Sequence, residues 1–195
     1  MHIAYLVTQH SDISRTEVKD KLYDLEESGI EVSYYSIYSL QNDSDKSANS
    51  PKTSDLETGP TISQTSLMGH LTTTAFKRPI AWYKCYRRML GLWVNSTSSL
   101  YLHFVYMAEA CVLFNWANEN QVDHIHAHFG TDPSSVAMLC HVLGGPTYSF
   151  TIRGSEKVEN LSDPLLLEKV KRAKFVVVID ETDTGDQQIQ LLSVK

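Results

Sequence analysis

Three histidines occupy alternate positions in the stretch VDHIHAHFGTDPSS, residues 122–135, and a glycine, a threonine and a helix start follow them at once. Imidazoles set this way can ligate a metal, move a proton, or hydrogen-bond a ligand. On a strand, His124, His126 and His128 share one side, with Ile125 and Ala127 on the other. Ligands of open parallel sheets bind beyond the carboxyl ends of the strands. That favours His128 as a site residue, His126 next, and puts His124 at the strand's entry. Gly130-Thr131 reads as a tight turn, Asp132 as an N-cap and Pro133 as the first helical residue. The helix N-terminus then faces the same crevice, where free amides suit a phosphate or a sugar hydroxyl. From these residues alone, a packed, hydrogen-bonded histidine and a functional one stand even.

Other chemistries find less support. A metal site needs further ligands from later strands. The histidine that remains after His128 is His141, deep in the next helix, and the strand over 147–153 ends in Arg153, a cation. No metal and no resident cofactor are expected. A Gly-x-Ser-x-Gly elbow and both glycine-rich nucleotide loops are missing. The net charge of −6 argues against a nucleic-acid binder. Cys85, Cys111 and Cys140 are widely spaced in apolar contexts and read as reduced core thiols. With no apolar run of the roughly 18–20 residues a bilayer needs, and no signal peptide at the N-terminus, the expected location is cytoplasmic.

The elements that must position these residues follow from periodicity. Residues 3–8 form a buried strand, 15–28 a helix ended by Ser28-Gly29, and 30–37 a second strand. Polar residues without a period then suggest a flexible insertion, drawn at about 41–75. Helices are read over 77–94, 99–120, 133–143 and 164–172, and strands over 123–129, 147–153 and 174–179. Alternating strands and helices predict an α/β fold: a single Rossmann-like, doubly wound parallel sheet spanning 1–180, with a divergent tail over 181–195.

The helix over 77–94 carries a second feature. Trp82, Tyr86, Met89, Leu90 and Trp93 share one face, Lys84, Arg87 and Arg88 lie opposite, and no acidic residue occurs from Leu71 through Ala108. A core helix with a solvated basic side is one reading. Docking of Trp82, Lys84, Arg87, Arg88 and Trp93 on the anionic inner face of the cell membrane is the other.

The segment "HIHAHFGTDPSSVAMLCHVLGGPTYSFTIRG", with "KVKRAKFVVVID" and the opening "IAYLVTQHSDISRTEVKDKLYDLEESGIEV", resembles the N-terminal domain of family 4 glycosyltransferases, in the branch that builds exopolysaccharides of the colanic-acid type. The resemblance runs from about Met1 to Asp180. It implies the acceptor-side half of a GT-B fold and a retaining, metal-independent hexosyl transfer. His128 would be the catalytic residue, with His126, Gly130, Thr131, Arg153, Gly154, Ser14 and Thr16 as acceptor or phosphate contacts. Arg153 stands where the family usually has histidine, and Glu17 adds a negative charge to the first loop. The resemblance further implies that the nucleotide-sugar donor needs a C-terminal domain beyond this chain. The implied partners are a lipid-linked glycan acceptor and a separate donor-domain polypeptide. A chain inactive by itself is therefore expected, and whether it is an enzyme stays open. The alternatives are a non-catalytic glycan- or membrane-binding module, or a remnant of a shortened gene.

Overall fold

The computed structural model describes residues 1–8, 29–37, 64–128, 132–153, 164–181 and 187–192. Six strands form one sheet: β1 (His2–Thr8), β2 (Glu31–Ile37), β3 (His124–Ala127), β4 (Thr147–Arg153), β5 (Phe175–Glu181) and β6 (Gln187–Leu192). Their order is β2-β1-β3-β4-β5-β6, with the first five parallel and β6 antiparallel to β5. The helices are α1 (Gln64–Lys77), α2 (Pro79–Val94), α3 (Leu100–Glu119), α4 (Asp132–Val142) and α5 (Pro164–Arg172). The fold is α/β and Rossmann-like, as periodicity indicated. The helix expected over 15–28 lies outside the described residues.

Two segments differ from expectation. The insertion drawn to residue 75 already turns helical at Gln64. Its threonines and glycine are weak helix formers, and Thr72 and Thr73 bond back to the carbonyls of Met68 and Gly69. What holds α1 is tertiary: Leu71 packs on the core, Thr74 is buried, and His70 Nδ1 meets the Asn115 amide at 3.1 Å. Within the tail drawn over 181–195, Gln187–Leu192 form β6, which pairs antiparallel with β5.

The main core lies on one face of the sheet. Ala4, Leu6, Tyr35, Ile125, Ala127, Tyr148, Phe150 and Val176 meet the inner sides of the helices there. Every residue of α3 from Tyr106 through Phe114 is buried, which makes it the central helix of that layer. All three cysteines are buried and free. Burial pushes the Cys111 thiol up to about 12 and raises those of Cys85 and Cys140 as well. They therefore stay protonated packing groups. Among the described residues, no helix is long and apolar enough to cross a membrane.

Two turns bring the site strands into place. After α3, the Val122 amide donates to Ala117 O at 2.9 Å, while Gln121 takes a left-handed φ of 53°. This cap usually employs glycine. After α4, Gly144 takes φ +95° and Gly145 packs so closely that a Cβ would lie 2.7 Å from Cys140 Sγ. Histidine 2 then locks β1 to the entry of β3. Its Nδ1–H donates to Asn120 O at 2.9 Å, which leaves Nε2 to accept from the Ser33 hydroxyl at 2.8 Å. Gln121→Gly is expected to stabilise the protein by roughly 0.5–1 kcal/mol by relieving the left-handed strain, read as a higher denaturant midpoint.

Candidate functional site

Strand order reverses at β1, which has β2 on one side and β3 on the other. The region beyond the carboxyl ends of β1 and β3 is where sheets of this order generally bind ligands. His128 follows directly after β3. Its amide donates to Leu6 O at 2.8 Å, and the residue is only 3% exposed. Tyr5 fills the adjoining space, its ring 5.0 Å from that of His126 and 6.0 Å from that of His128. His126 keeps partial exposure, whereas His124 is buried at the strand's entry and stacks on Phe175 at 5.6 Å.

The histidines do not merely alternate; β4 threads hydroxyls between them. His124 Nδ1 meets Thr147 Oγ1 at 2.8 Å and its Nε2 meets Ser149 Oγ at 2.7 Å. His126 Nδ1 meets the same Ser149 Oγ at 2.8 Å and its Nε2 meets Thr151 Oγ1 at 3.0 Å. The result is one chain: Thr147, His124, Ser149, His126, Thr151. Ser149 is fully buried and has a single proton, which must go to one ring while the other ring donates to it. With both rings neutral, the two imidazoles share a tautomer, both protonated at Nδ1 or both at Nε2, and a change in one then obliges a change in the other. Burial, and secondarily the Lys174 cation, depress His124 to about 4, so it is neutral at physiological pH.

Acidic groups gather behind this crevice. Asp132, expected as an N-cap, is the first residue of α4, and the Tyr106 hydroxyl donates to its carboxylate. Glu109 is buried in α3 and its charge reaches both Tyr35 and Tyr106. Burial first, and these carboxylates second, hold both phenols well above their usual range. Glu109, Tyr106 and Tyr5 were not singled out from the sequence. Glu109 had a legible signal, being the acid that ends the long acid-free run inside an apolar helix.

The structure brings His126 and His128 together at the carboxyl end of β3. Arg153 ends β4 beside Ile179 of β5, and its side chain lies outside the described atoms. Ser14, Thr16, Gly130, Thr131 and Gly154 also lie outside the described residues. Among the described residues, no group of three histidine, cysteine or acidic side chains could hold a metal. No protein family, curated protein or solved structure matches the chain.

The second surface is α2. Cys85, Met89 and Leu92 are buried, and Trp82, stacked on Tyr86 at 5.6 Å, packs inward with it against the core. Arg88 is paired with Glu168. The outward stripe is thus Ile80, Tyr83, Lys84, Arg87 and Val94, with Trp93 at its margin, and not the set containing Trp82 and Arg88.

Two outcomes follow for the hydroxyl–imidazole chain. Ser149→Ala strands a nitrogen on each ring and is expected to cost roughly 2–4 kcal/mol in denaturant unfolding. Because the folded His124 pKa of about 4 lies below its ordinary 6.5, the unfolded chain takes up that proton first. The His124 contribution to stability is therefore present above pH 6.5 and lost as pH falls towards 4, measurable as a declining melting temperature across that window.

Proposed function

We propose that this chain is the acceptor-side, Rossmann-like domain of a retaining, metal-independent glycosyltransferase of cell-surface glycan biosynthesis, working with a donor-binding domain. The observation that carries this reading is the reversal of strand order at β1, with His128 directly past the carboxyl end of β3 and α4 opening four residues later. The sequence resemblance specifies sugar transfer within that general ligand position. In this reading His128 contacts the reacting sugar–phosphate region. His126, whose two ring nitrogens are held by Ser149 and Thr151, contacts the acceptor through its ring face, and Ser14, Thr16, Gly130, Thr131, Arg153 and Gly154 complete the lining. The donor is a nucleotide sugar held by the second domain. The chemistry asked of this domain is orientation of an acceptor hydroxyl and stabilisation of phosphate charge.

A second reading, a module that docks on an anionic membrane, is favoured by the outward stripe of α2. Ile80 is 73% exposed and Tyr83 and Val94 are also exposed beside Lys84 and Arg87, while Phe76, near the end of α1, is 88% exposed. Aromatic and aliphatic groups interleaved with cations suit the headgroup region. The two readings are compatible, since a lipid-linked acceptor would itself sit at a membrane.

Nucleotide release tests the first reading. The chain is mixed with a donor-domain polypeptide, a panel of UDP- and GDP-sugars and a membrane lipid extract. His128→Ala is expected to slow UDP or GDP release roughly 10- to 100-fold, the loss of a charge-assisted hydrogen bond. A variant with wild-type rates, or a wild-type mixture that releases nothing from any donor, rejects the assignment. For the second reading, Ile80→Asp with Tyr83→Asp should abolish sedimentation with phosphatidylglycerol vesicles, and unchanged sedimentation would remove it.

A further inference from the structure

The opposite end of the sheet carries a site of different character. Helix α4 has 11 residues and rises about 16 Å away from the His128 crevice. Its last turn meets α2 and the end of α5 around a cavity of about 510 Å³ lined by Lys84, Arg87, Arg88, His141, Val142 and Arg172. Four cations share this space. Glu168 is the carboxylate that reaches them among the described residues, accepting from Arg88 and, at 2.7 Å, from Arg172 Nε. Glu168 lines the neighbouring cavity rather than this one. Lys84 and Arg87 make no ion pair among the described residues.

Structural needs account for only part of this cluster. Basic groups at the carboxyl ends of α4 and α5 offset the helix dipoles, which covers His141 and Arg172. Lys84, Arg87 and Arg88 lie mid-way along α2, where like charges three and four residues apart destabilise a helix. An anion in the cavity would turn that repulsion into attraction, and guanidinium groups match phosphate oxygens in pairs. A second cavity of about 300 Å³ shares Arg88 and has an apolar wall from Leu92, Pro164, Leu165 and Leu167.

We propose that the α2–α4–α5 cavity binds a phosphate or diphosphate group of two or more negative charges, with any apolar portion of the ligand lying along the second cavity. The site is remote from the β1/β3 crevice and stands whether or not the chain serves sugar transfer.

Calorimetric titration of the full chain with inorganic pyrophosphate at low salt tests the proposal. Wild type is expected to bind, and Lys84→Glu with Arg87→Glu to weaken binding by at least about ten-fold. Both replaced side chains are exposed, and circular dichroism melts verify that the variant is folded. Glu168→Gln removes the competing carboxylate and should tighten binding several-fold, a gain that misfolding cannot imitate. Phosphatidic acid and phosphatidylcholine vesicles identify the source. Displacement of the acidic vesicles by pyrophosphate assigns a lipid headgroup, whereas pyrophosphate binding without vesicle binding assigns a soluble ligand. The proposal is overturned if wild type does not bind pyrophosphate, if the double variant binds it like wild type, or if Glu168→Gln weakens it.

Discussion

A polar side chain as buried as His124 has no water to turn to, so it depends on the hydroxyls that β4 sets beside it, and the partly exposed His126 shares them. The parallel register matches His124 with Thr147 and His126 with Ser149, and Thr151 follows one step on. Each ring bridges two hydroxyls, and the interior hydroxyl, that of Ser149, joins both rings. A one-residue slip of β3 would send the histidines into the apolar core, and one of β4 would bring Tyr148 and Phe150 to the polar face. Hydrogen bonding and apolar burial thus demand the same register, one from each side of the sheet.

That register also sets up the crevice. With His124 and His126 pinned, the chain leaves β3 at His128 beside Leu6 and Tyr5, where strand order reverses. The opposite face contributes α3 and α4, whose meeting point joins Tyr106 to Asp132 and keeps Glu109 nearby. Helix α4 therefore connects two ends of contrasting charge. Imidazoles and carboxylates gather at its start, and cations gather at its close. The exposed charges at the two ends act largely independently, because their fields fade within about 10 Å at moderate salt.

Much of the architecture was legible along the chain. Apolar runs such as IAYLVT and KFVVVI can be satisfied only by burial, and the Trp82–Trp93 segment announces its period to within two residues of the observed helix. The strand of histidines was legible too, as was the place of His128 at its carboxyl end. Helix α1 was not, because Thr72, Thr73 and Gly69 carry little intrinsic helicity and its order comes from contacts with α3. Strand β6 was hidden for a similar reason: Gln187–Leu192 gains a strand's hydrogen bonds only from the edge of β5.

Residue type and spacing, by themselves, determined the alternation of strands and helices, the shared side of the three histidines, and the basic run on α2. These are local properties, set by side-chain periodicity and by what water will not solvate. Which partner each histidine meets is a different kind of fact. Ser149 lies 23 residues from His126, and Glu168 lies 80 residues from Arg88. Only the packed sheet and helices bring them together. The tertiary structure also decided that Trp82 turns inward while Ile80 and Tyr83 face out, because the α2 packing angle is set by α3 and α4 and not by α2 alone. A side chain's chemistry is written in its type, but its proton, its charge partner and its access to a ligand depend on neighbours that arrive from elsewhere in the chain.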